Sequence, residues 1–399
     1  MKDIFHLLIP IAAALCILML FAGCDHSPEP AHIYPPASAE TLPAAQITET
    51  TEPTQAPVEP VRLLLNAMTL EQRVGQLFLA RYPGENAPAA MESFHLGGFV
   101  LFSCDFEGHT PDSIRSELSG LQAASSLPLL IAVDEEGGTV VRVSCHSAFR
   151  NGRFLSPRNY FRQGGIDAVL AAEEEKATLL KSLGINVNLA PVADIAPAPG
   201  SFMYDRSLGQ DPETTGIFVA GAVQAMSEAQ VGSVLKHFPG YGSNADTHTG
   251  SARDERTLEA LEKADLIPFR AGIEAGCSAI MVSHNTVAAF DPELPASLSP
   301  KVCDYLRQEL GFEGVIITDD LAMGAVADLF SPGEAAVLAI QAGNDLLCCS
   351  DYATQYEAVL NAVLDGRISI DRLNEAVTRI LLWKQELGLI NIEEVSLCP

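Results

Sequence analysis

The feature that most constrains this chain is a regular alternation of short apolar runs with helical stretches. Eight runs rich in Val, Ile, Leu or Phe are predicted as strands, at 76–80, 98–102, 129–134, 186–194, 233–237, 279–284, 315–319 and 346–349. The intervening helices are predicted at 111–125, 167–183, 212–229, 258–275, 301–310, 334–342 and 352–364, and a last helix at 371–387. Uniformly apolar strands are typical of parallel sheets covered on both faces. Eight repeats predict an α/β fold with a single (β/α)8 barrel of the TIM type.

The N-terminus has the pattern of a secretory signal. After Lys2 the chain is almost wholly apolar from residue 4 to residue 21, and it closes on Ala22, Gly23 and Cys24. Small residues followed by cysteine predict a lipoprotein signal peptide over 1–23, with lipidation of Cys24. An uncleaved membrane anchor is the alternative, since about eighteen apolar residues can span a bilayer. Both interpretations predict an extracytoplasmic, membrane-anchored protein.

The next segment, 24–60, is rich in Pro, Thr, Ala and Glu and has no apolar period. Such a composition buries too little surface to offset the entropy of ordering, so it predicts an extended tether. The folded domain is then expected at 61–399. Sequence leaves open whether the tether is glycosylated or crosses a cell wall.

The amino-acid composition limits the classes of molecule that this protein can be expected to bind. The formal net charge is −27 and no basic stripe is present, which argues against binding of nucleic acid. Seven of the nine cysteines lie beyond the signal and the anchor, at 104, 145, 277, 303, 348, 349 and 398. An odd number, several within apolar runs, predicts buried thiols and not a disulfide framework. The sequence contains no C-x-x-C pair, so a structural zinc module is not expected.

Charged or ionisable residues end five of the eight predicted strands. They are Asp134, Asp194, Lys236 with His237, Ser283 with His284, and Asp319. In a (β/α)8 barrel the carboxyl ends of the strands form the rim on which catalytic sites are built. The pattern therefore predicts a site at that rim.

The segment that follows the third strand combines carboxylates with a tight turn. Asp134 is delivered to the rim, Gly137 and Gly138 allow a sharp turn, and Arg142 follows. A carboxylate that accepts hydrogen bonds from neighbouring hydroxyls suits a sugar pocket. The structural alternative is a strand-end turn with an acidic surface cluster.

The segment that follows the fifth strand pairs a cation with an imidazole. Lys236 and His237 precede a loop enforced by proline and glycines, and Asp246 and His248 stand two residues apart within that loop. This spacing allows the carboxylate to orient one imidazole nitrogen, which makes a usable general acid and base. The alternative is a polar surface loop with an incidental histidine.

The segment that ends the seventh strand supplies a candidate nucleophile. Asp319 follows Ile316, Ile317 and Thr318 and reaches the rim, where its carboxylate can attack an anomeric carbon. The competing role is a cap for the following helix, which Asp320 fills equally well.

Together these motifs resemble glycoside hydrolase family 3, and within it the compact β-N-acetylglucosaminidases. The resemblance runs from about residue 70 to residue 389 through D-E-E-G-G, R-S-L-G-x-D-P, K-H-F-P-G, D-T-H and T-D-D-L-x-M, in that order. It implies a retaining double displacement in which Asp319 forms the glycosyl-enzyme and His248, partnered by Asp246, is the acid/base. It also implies a set of residues that bind the sugar in the first subsite: Asp134, Arg142, Arg206, Lys236 and His237.

Some positions depart from the common family pattern. Tyr241 stands where His is frequent, Thr139 replaces a frequent Arg, and the stretch between Gly242 and Asp246 is one residue shorter. We expect no C-terminal α/β sandwich domain, unlike the large β-glucosidases of the family. The resemblance thus implies a monomeric enzyme that needs no cofactor or metal and removes terminal β-linked N-acetylglucosamine from cell-wall or other amino-sugar glycans.

Three rival functions are kept open. A β-glucosidase or a glycoside phosphorylase could use the same barrel, and product analysis with and without phosphate separates them. A metal-dependent barrel hydrolase could use His237, His248 and His284, and sensitivity to a chelator would reveal it. A non-catalytic glycan-binding lipoprotein is the third, although it has no need of Asp319, Asp246 and His248 together.

Overall fold

The structure is a computed structural model that describes residues 58–196, 198–242, 244, 246–247 and 250–390. Several predictions fall outside the described residues: the signal peptide, the anchor at Cys24, the tether up to residue 57, the acid/base His248, and Cys398. Within the described part of the chain, no helix is both long and apolar enough to cross a membrane.

Eight parallel strands form one sheet, and each coincides with a predicted run. They are β1 Phe78–Arg81, β2 Gly98–Leu101, β3 Leu130–Val133, β4 Val187–Asn188, β5 Gly232–Phe238, β6 Ala279–Val282, β7 Val315–Thr318 and β8 Leu347–Cys349. Neighbours in the chain are neighbours in the sheet, and β8 pairs with β1 through Phe78 and Leu347. A bridge between Ile317 and Leu346 joins β7 to the start of β8. The sheet therefore closes, and the predicted barrel is confirmed.

Helices surround the sheet. They are α1 Val58–Ala67, α2 Leu70–Gln76, α3 Ala87–Phe94, α4 Pro111–Ala124, α5 Pro157–Ser182, α6 Pro212–Glu228, α7 Leu258–Glu262, α8 Leu266–Glu274, α9 Pro300–Asp304, α10 Gly324–Ala327, α11 Pro332–Ala342, α12 Tyr352–Leu364 and α13 Ile370–Glu386. A π-turn, Tyr305–Glu309, extends α9. Thr110, Ser156 and Asp211 are typical of the helix starts, since each side chain accepts the third backbone N–H of its helix and proline follows directly.

Several elements differ from the prediction, and four helices, α1, α2, α3 and α10, were not predicted. The helix predicted at 258–275 is divided into α7 and α8, and α5 begins ten residues earlier than predicted and contains non-helical Gly164 and Gly165. β4 is two residues long although 186–194 was predicted as strand. The chain beyond β4 stays beside β5, where Val192 bridges to Lys236, but Pro191 has no N–H to continue the ladder.

The barrel strands are buried along almost their whole length, which explains their apolar sequences. Two further short strands, Arg253–Asp254 and Thr286–Val287, pair in parallel after the ends of β5 and β6. The six cysteines within the described residues are free thiols, and four of them are buried, as predicted. Cys104 differs, because it lies exposed in the loop after β2.

Candidate active site

The carboxyl ends of the strands surround a cavity of about 470 Å³. That volume lies within the range of small-molecule sites, about 300–1,000 Å³. The polar residues that line it come from β1, β3, β5, β7 and β8, from the loops after these strands, and from the loop after β4: Arg81, Asp134, Glu136, Arg142, Arg206, Lys236, His237, Tyr241, Asp319, Asp320 and Ser350.

The turn after β3 brings the carboxylate of Glu136 into this cavity. Gly137 and Gly138 have φ values of 102° and 68°, a region that favours glycine. A Cβ on Gly137 would lie 2.2 Å from the carbonyl oxygen of Leu155, so the backbone approaches too closely for any side chain. Buried Glu135 holds the returning chain, because its carboxylate accepts the backbone N–H groups of Arg142 and Val143 at 2.8 Å each. The glycines are thus required by the shape of the turn.

A network of buried charges forms the base of the cavity. The ammonium group of Lys236 donates to Asp134 at 2.7 Å and lies 2.6 Å from the carboxylate of Glu136. Arg206 grips Glu136 with two parallel hydrogen bonds of 2.9 and 2.7 Å. Arg142 reaches Asp134 at 3.3 Å. Each cation therefore has a carboxylate partner, and Asp134 is shared between two of them.

These contacts set the charge states of the network. Burial alone would raise the pKa of Glu136, but Arg206 and Lys236 outweigh it and hold that pKa well below its usual range. Burial likewise opposes the charge of Lys236, yet Asp134 and Glu136 raise its pKa. The cavity therefore keeps fixed charges and fixed donors at neutral pH, which suits recognition of a polar ligand.

His237 is held in one orientation. Its Nδ1 lies 2.8 Å from the carboxylate of buried Asp194, and its Nε2 lies 3.2 Å from a guanidinium nitrogen of Arg206. Because a guanidinium can only donate, Nε2 accepts and the proton sits on Nδ1, directed at Asp194. Asp194 also accepts the backbone N–H of Tyr241 at 2.7 Å, which ties the following loop to the same carboxylate.

Asp319 lies at the end of β7, where its N–H donates to the carbonyl of Val282 at 3.0 Å. Its carboxylate lines the cavity and accepts the N–H of Asp320 at 2.9 Å. Burial would raise the pKa of Asp319, but neighbouring His284, the N–H of Asp320 and the ammonium group of Lys236 outweigh it and the pKa is lowered. The group is therefore an ionised carboxylate at neutral pH, as a nucleophile must be.

Asp320 has a different role. It accepts the N–H of Ala322 at 2.9 Å and the hydroxyl of Ser350, so it shapes the turn after the strand. The helix that follows, α10, has Met323 at its N-cap and no side-chain cap, so neither Asp319 nor Asp320 fills the capping role that competed for Asp319.

The loop after β5 is anchored between two sides of the rim. Tyr241 lines the cavity, and its hydroxyl is hydrogen-bonded to that of buried Thr247. The carbonyl of Thr247 accepts the N–H of Ala325 at 3.2 Å, in the segment that follows β7. Thr247 separates Asp246 from His248 in the chain, and Asp246 is half-buried. His248 itself lies outside the described residues.

The structure brings six of the predicted site residues together around one cavity: Asp134, Arg142, Arg206, Lys236, His237 and Asp319. Sequence reasoning missed Glu136 as the centre of the charge network and Tyr241 as a lining residue. Glu136 could have been suspected from its place beside the paired glycines. Asp194 was noticed only as a strand end, and its hold on His237 depends on tertiary structure.

His284 lies beside the site, close enough to lower the pKa of Asp319. Its Nδ1 lies 2.7 Å from the hydroxyl of Ser297, and its Nε2 lies 3.0 Å from the backbone carbonyl of Asp320. Among the residues that the structure describes, no three His, Cys, Asp or Glu side chains are grouped as the ligands of a metal ion would be.

The fold and the cavity define the class: a single (β/α)8 barrel enzyme with a charged, sugar-sized site at the carboxyl ends of its strands. Residues 69–382 match the sequence profile described as the glycosyl hydrolase family 3 N terminal domain. The chain therefore belongs to glycosyl hydrolase family 3, and it is a glycosidase acting on carbohydrate.

Relatives extend over most of the chain. A sequence described as an uncharacterized secreted glycosyl hydrolase of Arthroderma benhamiae is 32% identical over 345 residues, covering 81% of this chain and 95% of that protein. A beta-hexosaminidase of Nitrosomonas eutropha is 38% identical, covering 64% of this chain and 74% of its own length. The beta-hexosaminidase LpqI of Mycobacterium tuberculosis is 30% identical, with coverage of 75% and 78%.

Solved structures agree with the fold. The structure of M. tuberculosis LpqI superposes with a TM-score of 0.75 at 29% identity, covering 82% of this chain and 96% of that one. A family 3 β-N-acetylglucosaminidase from Paenibacillus sp. str. FPU-7 gives a TM-score of 0.76 at 34% identity. This chain is covered to 81% in that comparison and spans 63% of the Paenibacillus chain.

Proposed function

We propose that this protein is a retaining, exo-acting β-N-acetylhexosaminidase that releases terminal β-linked N-acetylglucosamine. Asp319 attacks the anomeric carbon and forms a covalent glycosyl-enzyme. His248, oriented by Asp246, protonates the leaving oxygen and then deprotonates the incoming water. The observation that carries the proposal is the presence of ionised Asp319 in the same cavity as a set of fixed, charged hydrogen-bonding groups.

The charge network supports the binding of a single sugar ring. Asp134 is an acceptor, and Arg142, Arg206 and Lys236 are donors. Arg142 and Lys236 are fixed by ion pairs with Asp134, and Arg206 is fixed by its ion pair with Glu136. Preorganised partners of this kind bind hydroxyl and amide groups without paying the full cost of ordering. We propose that these four residues, with His237, bind the sugar in the first subsite.

The position of Thr247 supports the role of the D-T-H motif. Thr247 connects through its hydroxyl to Tyr241 beside the cavity and through its carbonyl to the segment after Asp319. Its chain neighbours are the proposed acid/base pair. A histidine acid/base in place of the second carboxylate distinguishes this arrangement from the usual glycosidase pair of carboxylates.

The proposed substrate is inferred from the names of the proteins that this chain resembles. Two curated relatives are called beta-hexosaminidases and a structural relative is a β-N-acetylglucosaminidase. We propose amino-sugar glycans, such as those of cell walls, as the natural substrate, and water as the acceptor.

We further propose an extracytoplasmic location, with a lipid anchor at Cys24 and a tether that ends before α1, which begins at Val58 and so takes up the last three residues of the predicted segment 24–60. A secreted relative and the lipobox-like N-terminus support it. A Cys24→Ser variant should leave the membrane fraction, and its retention there would contradict the anchor.

The central test is hydrolysis of aryl β-glycosides of N-acetylglucosamine, glucose and N-acetylgalactosamine by the full chain, with and without phosphate. We expect preference for N-acetylglucosamine, no phosphate dependence, and a β-anomer as first product. An α-anomer, a glycosyl phosphate product or preference for glucose would contradict the proposal.

Two adjacent carboxylates provide a matched control. Asp319→Asn should abolish turnover, whereas Asp320→Asn should lower it only partly, because Asp320 serves the turn. His248→Ala should cripple substrates with poor leaving groups and spare activated aryl glycosides. Equal losses on both kinds of substrate would refute the role of His248.

A further inference from the structure

The loop that carries Asp246 and His248 begins at Gly240 and Gly242, its entry, and ends at Asp254, its exit. An ionic cluster of buried Asp254, buried Asp265 and half-buried Arg256, outside the cavity, lies against both ends of this loop. We propose that Arg256 is a positioning residue that clamps the two ends of the acid/base loop together, and so sets the efficiency of proton transfer to the leaving group. This inference rests on the proposed role of His248.

Arg256 has two carboxylate partners on different elements. It grips Asp254 through Nε and Nη2, at 2.9 and 2.7 Å from Oδ2, and it reaches Asp265 through Nη1 at 2.6 Å. Both aspartates are buried, and Asp265 directly precedes α8. The guanidinium therefore ties the exit of the loop to the barrel's helical layer.

The entry of the loop passes directly over the same cluster. A Cβ on Gly242 would lie 2.6 Å from Nη2 of Arg256, and a Cβ on Gly240 would lie 2.4 Å from Oδ1 of Asp265. Both glycines have positive φ values, 118° at Gly240 and 55° at Gly242. The backbone at Gly240 and Gly242 thus lies directly against the cluster, and only glycine allows so close an approach.

The exit is fixed a second time by backbone contacts. Asp254 belongs to the short strand that pairs with Thr286–Val287, and the carbonyl of Ala252 accepts the N–H of Thr286 at 2.8 Å. Arg256 is consequently the group that connects this fixed exit with the glycine entry. Thr247, between the two ends, is held by Tyr241 and Ala325.

Asp265 depends on Arg256 for its charge. Its Oδ1 is buried and has no hydrogen-bond partner within the described residues. Burial raises the pKa of Asp265 to about 6 even with Arg256 beside it. Without Arg256 the carboxyl of Asp265 would take up a proton, and neither aspartate of the cluster would keep an ion pair.

The experiment compares two substrates in four variants of the full chain. The substrates are an activated aryl β-N-acetylglucosaminide and an unactivated β-linked disaccharide of N-acetylglucosamine. The variants are Arg256→Met, Arg256→Lys, His248→Ala and a control, Arg307→Met. Arg307 donates to buried Asp345 at the same 2.6 Å but at the opposite end of the barrel, next to the starts of β7 and β8.

We expect Arg256→Met to lower kcat/KM on the disaccharide by about 10²-fold, the usual effect of misplacing a catalytic group by about 1 Å. The activated substrate, which needs little proton transfer, should be almost unaffected. Arg256→Lys should recover only part of the loss, because an ammonium cannot bridge both carboxylates. Arg307→Met should lower thermal stability without separating the two substrates.

The acid/base role of His248 and the clamp by Arg256 would be contradicted by different results. If His248→Ala shows no difference between the substrates, the proposed acid/base is wrong. If His248→Ala separates them and Arg256→Met does not, the clamp is wrong. A separation of the same size in Arg307→Met would also overturn the clamp, because loss of any buried ion pair would then suffice.

Discussion

Lys384 provides a test of the fold that is independent of catalysis. It lies in the last turn of α13, is fully buried, and its ammonium group donates to the side chain of Gln76 at 2.6 Å. No carboxylate within the described residues forms an ion pair with it. Burial removes the ammonium from water and lowers the pKa of Lys384 from 10.5 to about 7.

The depressed pKa predicts the sign of a pH dependence. Between pH 7 and pH 10.5 the unfolded chain binds a proton at Lys384 that the folded chain lacks. The free energy of unfolding therefore rises with pH across this window. At about 1.36 kcal/mol per pKa unit, the lysine makes the fold about 4 kcal/mol less stable at pH 7 than above pH 10.5.

We predict that Lys384→Met is more stable than the parent at pH 7. The gain is smaller than 4 kcal/mol, because the variant leaves the side chain of Gln76 without its donor, at a cost of about 1–3 kcal/mol. That cost does not change with pH and cancels between conditions. The stability difference between variant and parent should therefore shrink by about 2 kcal/mol from pH 7 to pH 9.

Urea denaturation of both proteins at pH 7, 8 and 9 measures this difference. Exposed Lys263, paired with Glu259 on the surface, provides the control. Its Lys263→Met variant should differ from the parent by the same small amount at each pH. A difference for Lys384→Met that is equally constant would refute the reasoning, since it would mean that the lysine is charged in the folded protein.

Two further predictions concern the site. Glu136→Gln removes the carboxylate between Arg206 and Lys236. We expect the free energy of unfolding to fall by about 3–5 kcal/mol in denaturation experiments, together with a fall in kcat/KM. Unchanged stability would show that the network tolerates unpaired cations. Gly137→Ala should destabilise the fold far more than Gly152→Ala, because both glycines have positive φ but only Gly137 has a carbonyl 2.2 Å from the added carbon. Equal shifts in Tm for these two variants would contradict the close approach after β3.

The strands and the rim could be predicted from local patterns. A strand covered on both faces must be apolar along its length, so runs such as 129–134 and 315–319 carry their own signal. Asp134, Lys236 and Asp319 stood out because each interrupts such a run at its end. Some helix starts were equally visible, since capping by Thr110 and Asp211 involves residues three apart, but the start of α5 at Ser156 was missed.

Contacts between distant segments left no comparable signal. Glu136 meets Arg206 across 70 residues, and Asp194 meets His237 across 43. β4 is only two residues long and glycines divide α5, which a hydrophobic period alone does not reveal.

By itself, the sequence determined the class of fold and the side of the barrel on which the chemistry lies, because both follow from periods of a few residues. Only the tertiary structure decided which charges pair, that Lys384 is buried without a carboxylate, and that Arg256 lies beneath both ends of one loop. The physical reason is that desolvation and ion pairing depend on what the fold brings together. Residues far apart in the chain encode those distances only through the packing of the whole barrel.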